Sequence, residues 1–428
     1  MSNILLSFVG SQDPYSNTTQ QPGSIVSLVW HFQTMHQPIN AVLLLYTVGT
    51  RQNAIDTRDW LLSEQVLAEE AIELMAVSDS LSHDPVNALL AIQEARRAVE
   101  RAKALQTGSD MLAFNASSGT PAMKTAWSIL QAAGYAPNSQ VWQVRNPNEV
   151  RAGQERIFPS NVDFLKREFD LKVAKQQVQD YNYSGALMTL ASSQLLTDEI
   201  AALLHYGYYR SSRDFDRADA SLGSVKGQID SRWSQEIARL RQKDGKARLQ
   251  EAYFNAQIRL KNQKYADFLI DVFGLQESLL KYLVEHSVGL PVPDRAQTPS
   301  FWERLQQLDQ GKLYRHLQNY RLPKGGSLRL GESVSRYVMI AILEYSPQFT
   351  SVMPLINDLN DYCDLRNRAV HEFAGVSEIP DQQKLLSMLR TLMKRVTGLP
   401  EANPFDDLNR QICERLEQRL PSGPSTAG

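Results

Sequence analysis

The hydrophobic pattern of the first 150 residues alternates between two periods. Residues 4–9 (Ile-Leu-Leu-Ser-Phe-Val) are an almost unbroken apolar run stopped by Gly10, as in a strand buried on both faces. From Pro22-Gly23-Ser24 the apolar positions become Ile25, Leu28, Val29, Phe32 and Met35, which predicts a helix closed by Pro38. A second buried strand is predicted at 41–48, then a helix rich in Ala, Glu and Leu, then a shorter strand near 74–77. A long helix from about 85 to 105, a strand at 111–115, a helix at 120–133 and a last strand at 140–144 follow. This alternation predicts an α/β, Rossmann-like N-terminal domain with a parallel sheet covered on both faces.

After roughly residue 155 the strand signal ends. Phe164, Leu165, Phe169 and Val173 begin a helical pattern, and further helices are predicted at roughly 184–205, 229–260, 264–286, 300–321, 332–346, 350–374, 382–397 and 405–419. Pro291-Val292-Pro293 and Pro323-Lys324-Gly325-Gly326 interrupt them as turns. The organisation read from the pattern is therefore an α/β domain at 1–150, an all-α domain at 151–420 and a small polar tail at 421–428, expected to be disordered.

Composition narrows the function classes. The 428 residues are 43% hydrophobic and 21% charged, an ordinary globular balance for two domains. With 45 basic and 47 acidic residues the net charge is -2, so any contact with nucleic acid is expected to be local and site-like. The two cysteines, Cys363 and Cys413, exclude a disulfide scaffold and fit a reducing compartment. The start lacks a basic signal region, and the most apolar stretch, 41–48, is too short for a bilayer. A cytoplasmic location without membrane contact is expected.

Two loops of the first domain carry candidate ligand-binding chemistry. In open parallel sheets, ligands sit beyond the carboxyl ends of the strands. The first strand ends in Gly10-Ser11-Gln12-Asp13-Pro14-Tyr15, the fourth in Asn115-Ala116-Ser117-Ser118-Gly119-Thr120-Pro121. Thr120 is a good N-cap and Pro121 a preferred first helical residue. Gly119 permits close approach to the backbone, the helix start favours a phosphate, and Ser117, Ser118, Thr120 and Lys124 add donors. The same residues also suffice to cap a helix with no ligand, and both readings stand at this point. The first strand is not followed by Gly-x-Gly-x-x-Gly, which argues against a dinucleotide cofactor. Gly326 to Ser333 has glutamate where a P-loop needs lysine.

In the second domain, Leu355, Ile356, Leu359, Tyr362, Leu365, Ala369, Val370 and Phe373 form a helical apolar stripe that Gly375 ends. Within it, Asn367 and His371 are four residues apart, on one face, and the long Arg366 side chain reaches towards them. Such a trio suits RNA transesterification, in which the substrate's own 2′-hydroxyl attacks the adjacent phosphate. Histidine moves protons near neutral pH, the guanidinium holds the phosphate and asparagine orients. A histidine inside an amphipathic helix is also often structural, so the trio alone is a weak signal. His31 and His36 are poorly spaced for a shared metal, and no metal site is expected. Asp244-Gly245-Lys246 is a lone near-match to a metal-nuclease motif in helical surroundings. Tyr206, Tyr208, Tyr209 and Arg210 are candidates for stacking on RNA bases or for core packing.

A first strand ending in Gly-x-x-Asp-Pro, with Asn-x-Ser-Ser-Gly-Thr-Pro-x-Met after a later strand, resembles the CARF domain of CRISPR-associated ancillary proteins. The single Arg-Asn-x-x-x-His match in an all-α domain resembles the HEPN ribonuclease signature. Together the halves resemble the CARF–HEPN ribonucleases of type III CRISPR antiviral defence. The resemblance implies a homodimer that binds a cyclic oligoadenylate activator through Gly10, Ser11, Gln12, Asp13, Asn115, Ser117, Ser118, Gly119, Thr120 and Lys124, a ring of four adenylates being favoured over six. It implies metal-independent cleavage of single-stranded RNA at Arg366, Asn367 and His371, shared between two chains, leaving a 2′,3′-cyclic phosphate. In some members the sensing domain also cleaves its activator slowly. The competing expectation is a non-enzymatic nucleotide-sensing regulator whose helical domain binds a partner; no basic recognition helix supports a DNA-binding version.

Overall fold

The computed structural model describes residues 2–17, 20–107, 110–160, 162–193, 195–293, 297–322, 325–331, 333–362 and 375–418. The chain divides into two compact units, Met1–Asp170 and Leu171–Gly428.

The first unit is built on the strands β1 (Asn3–Phe8), β2 (Ile39–Tyr46), β3 (Ile72–Ala76), β4 (Met111–Asn115), β5 (Ser139–Val144) and β6 (Ile157–Ser160). They lie in the order β3-β2-β1-β4-β5-β6. The first five are parallel, as expected from the strand–helix alternation, with Leu6 opposite both Leu43 and Phe114. The last strand, β6, pairs antiparallel with β5. It lies beyond the point where the sequence signal ends, because four residues including Pro159 on a sheet edge carry almost no periodicity.

Helices α1 (Ser24–Thr34), α2 (Arg51–Ser63), α3 (Asp79–His83), α4 (Ala88–Leu105) and α5 (Pro121–Ala132) connect the strands. Alternation along β1 and β2 sorts their side chains. Ile4, Leu6, Phe8, Leu43 and Leu45 pack with Ala95 and Val99 of α4 and Met123 and Trp127 of α5. Leu5, Val9, Val42 and Leu44 pack with Ile25, Leu28 and Phe32 of α1 and with Leu61 of α2. Both faces of the central strands are thus covered, which accounts for their unbroken apolar runs.

After β6 the described chain is helical: α6 (Asp163–Gln179), α7 (Tyr183–Ser192), α8 (Asp198–Ser211), α9 (Phe215–Leu222), α10 (Arg232–Arg241), α11 (Gly245–Lys261), α12 (Tyr265–Val288), α13 (Thr298–Gln307), α14 (Lys312–Asn319), α15 (Arg336–Tyr345), α16 (Met353–Asp358), α17 (Gln382–Thr397) and α18 (Pro404–Glu417). Three of the long predicted helices are each two. Thr197 caps α8 through the Ile200 N–H and Asp244 caps α11 through the Ala247 N–H, so the breaks fall at good N-caps inside continuous apolar patterns. The third break, between α13 and α14, passes through Asp309, Gln310 and Gly311 at positive φ. The longest helix, α12, buries Phe268, Val272, Leu275, Leu279 and Leu283 at three- and four-residue spacing and ends at Gly289 with φ 68°.

Candidate functional site

Moving outward from β1, the connections reach β2 and then β3 on one side, β4 and then β5 on the other. The topological switch point therefore falls between β1 and β4. The loops leaving these two strands are the two singled out by their chemistry in the sequence.

Asp13 organises the first loop. It is 1% exposed and follows a short turn whose Asp13 N–H donates to the Gly10 carbonyl at 3.3 Å. Its Oδ2 accepts the Gly10 N–H at 3.0 Å and its Oδ1 accepts the Ile25 N–H at the start of α1 at 3.4 Å. The Ser118 hydroxyl, 105 positions away on the β4 loop, donates to Oδ2 as well. The main-chain oxygen of Asp13 accepts from Asn53 Nδ2 of α2 at 2.8 Å. Burial pushes the carboxyl pKa above its ordinary value, while the Ser118 hydroxyl, the Gly10 and Ile25 N–H groups and the Lys124 charge pull it back. The Asp13-Pro14 peptide is cis.

Two glycines make room for this acid. A Cβ on Gly10 would stand 2.9 Å from Ser118 Oγ and 3.0 Å from Gly119 N, so the loops touch there. A Cβ on Gly23 would stand 2.5 Å from Asp13 Oδ1 and from the Gln12 carbonyl.

Asn115 organises the second loop. It is fully buried; its Nδ2 donates to Ser7 Oγ at 3.0 Å and Ser24 Oγ at 2.9 Å, and its Oδ1 accepts the Ser117 N–H at 3.0 Å. Ser117 Oγ accepts the Val144 N–H from the end of β5 at 2.7 Å. Thr120 caps α5 through the Met123 N–H and donates to the Pro85 carbonyl at 2.6 Å. Gly119 has φ 89°, and a Cβ there would meet Met123 and Phe8.

The ten candidate residues thus separate by position. Gly10, Asp13, Ser118 and Gly119 meet where the loops cross, with the Lys124 charge felt at Asp13. Ser11 and Gln12 are exposed, and Ser117, Gly119, Thr120 and Lys124 are half-buried. Asp13, Asn115 and Ser118 are turned inward, at 1%, 0% and 5% exposure. Sequence reasoning missed Gly23, Ser24 and Asn53, which read there as helix positions. The one available signal was Gly23 directly before a helix, where a side-chain cap is usual.

Arg366, Asn367 and His371 lie outside the described residues. Of the stacking candidates, Tyr206 and Arg210 are buried, whereas Tyr208 is exposed at 42%. Asp244 is spent on capping α11 and pairs with Arg239 at 3.1 Å. Among the described residues no group of three His, Cys, Asp or Glu side chains is placed to hold a metal. No described helix is long and apolar enough to cross a membrane.

Residues 239–413 match the Cas_Csm6 HEPN domain family. No curated protein matches the sequence. Among solved structures the chain resembles Enterococcus italicus Csm6 bound to cyclic hexa-2'-fluoro-hexa-dAMP, with 16% identity, a TM-score of 0.67, and coverage of 97% of this chain and 100% of that one. Residues 239–413 are thus similar to a HEPN helical domain, and the chain as a whole shares its fold with that Csm6.

Proposed function

We propose that this chain is an endoribonuclease of type III CRISPR antiviral defence, switched on by a cyclic oligoadenylate. The observation that carries the sensing half is the junction of the β1 and β4 loops at the switch point, built around Gly10, Asp13, Ser118 and Gly119. Residues 1–150, together with the edge strand β6, are the sensor, and the helices that follow, up to 420, the nuclease. The exposed Ser11 and Gln12, the backbone at Gly119, and Thr120 and Lys124 at the start of α5 face the activator's phosphates and bases. The Csm6 of Enterococcus italicus was solved with a cyclic hexanucleotide, which supports a cyclic ligand here and makes a ring of six the natural comparison with the favoured ring of four.

In the nuclease half, Arg366 stabilises the phosphate, His371 transfers or positions a proton, and Asn367 orients. Two such sets face each other in a cytoplasmic homodimer. The 2′-hydroxyl of single-stranded RNA is the nucleophile, so the products are a 2′,3′-cyclic phosphate and a 5′-hydroxyl, and no metal is required.

The test is a fluorescent single-stranded RNA incubated with the full chain and either cyclic tetra-adenylate or cyclic hexa-adenylate, with and without EDTA. Cleavage is expected with one ring, unaffected by EDTA and lost in His371→Ala. Activity that EDTA removes and His371→Ala retains would overturn the mechanism. Ligand binding without cleavage would favour the regulator instead.

A further inference from the structure

We infer that Asp13 is a positioning residue, a clasp that fastens the β1 and β4 loops into a single wall through Ser118 and presents the Gly119 backbone without touching the ligand. This rests on the reading of the switch-point loops as the cyclic oligoadenylate site. Both carboxylate oxygens are spent inward, on donors from three separate elements: Gly10 in the β1 loop, Ile25 at the start of α1, and Ser118 in the β4 loop. The side chain is 1% exposed, so no oxygen is left facing a ligand. The surroundings are shaped to fit the acid. Gly23 leaves the space Oδ1 occupies, Gly10 lets the β4 loop approach to contact distance, and Asn53 holds the Asp13 main chain from α2.

Removing the carboxylate leaves the Ser118 hydroxyl and two backbone N–H groups without their acceptor in a buried place. The β4 loop then loses its tie to the β1 loop, while Asn115 and Thr120 still hold its two ends. The loop keeps its course but not its register against the first loop. Ligand affinity falls because part of the binding energy must go into ordering that register.

Titration calorimetry of the full chain with cyclic tetra-adenylate and with cyclic hexa-adenylate tests this. Wild type, Asp13→Asn, Asp13→Ala, Ser118→Ala and the double variant Asp13→Ala/Ser118→Ala are compared. With the ring that wild type binds, Asp13→Ala and Ser118→Ala are each expected to weaken binding about tenfold, and the double variant no more than the weaker single one. Asp13→Asn keeps one acceptor oxygen and is expected to fall between wild type and Asp13→Ala. If Asp13→Ala does not fold, Ser118→Ala and Asp13→Asn carry the comparison. Affinity unchanged in Ser118→Ala and Asp13→Asn, or losses that add in the double variant, would overturn the clasp and leave the ligand reading standing. A wild-type chain that binds neither ring overturns both.

Discussion

Arg210 illustrates how a single buried charge is held in the helical unit. Its guanidinium is 3% exposed and bidentate on Glu251, at 3.0 and 2.8 Å, with a further bond to Glu236 at 2.6 Å. Burial alone would lower its pKa, but the Glu251 and Glu236 charges and Tyr206 keep it well above the ordinary value. The ring of Phe405 from α18 lies 4.9 Å from the guanidinium carbon, so the network sits among α8, α10, α11 and α18. A buried pair contributes little relative to an apolar pair, yet removing one member leaves the other charge uncompensated. Glu251→Ala is expected to cost about 3–5 kcal/mol, measured as a fall in the denaturant midpoint. Arg210→Met/Glu251→Leu is expected to lose much less. Equal losses in the two would show that packing, not charge, is what Glu251 supplies. The sequence offered Tyr206 and Arg210 as possible RNA contacts; a helical period of 3.6 does not say which of two adjacent faces is covered.

The start of α5 shows what an element requires. Thr120, Pro121 and the preceding Gly119 were legible as a helix start, because each residue type has a local reason to be there. What the local pattern did not show is that Gly119 is fixed twice over, by φ 89° and by Met123 and Phe8 within 3.2 Å of its absent Cβ. Gly119→Ala is therefore expected to destabilise the first unit by more than about 1 kcal/mol, seen as a lower thermal midpoint. A midpoint unchanged from wild type would mean that the loop relaxes freely around the added methyl. The same local logic failed in the opposite direction for α7–α8 and α10–α11. Their caps at Thr197 and Asp244 are good ones, but the apolar positions continue across them, and a short break is outweighed by the period on either side.

At the scale of the whole molecule, the charge balance bears on how the proposed RNA substrate would be met. A net charge of -2 gives no overall excess of basic charge, and described arginines such as Arg213, Arg232, Arg239 and Arg241 are paired with aspartates. On the proposed nuclease reading, RNA association is therefore expected to rest on two or three phosphate contacts. Raising monovalent salt from about 50 to about 200 mM should weaken it about seven- to twentyfold for two or three contacts, whereas six to ten contacts on a single strand would cost about three-hundredfold or more. Fluorescence anisotropy with a His371→Ala chain, which the proposed mechanism makes cleavage-deficient, across a salt series measures the slope. A steep slope would mean that a basic surface forms on assembly.

The sequence by itself determined the class of each half. Period-2 and unbroken apolar runs, alternating with 3.6-period segments, dictate a parallel sheet covered by helices, and glycine, serine, threonine and proline at strand ends mark the two loops, because these are properties of neighbouring residues. The Arg366, Asn367 and His371 trio is likewise a statement of spacing along the sequence. Tertiary structure alone decided the rest. It placed the switch point between β1 and β4, added the antiparallel edge strand β6, and turned Asp13 away from the surface towards Ser118. The reason is distance along the chain: a carboxylate whose partners include a hydroxyl 105 positions away has its orientation set by how strands stack, which no local pattern encodes.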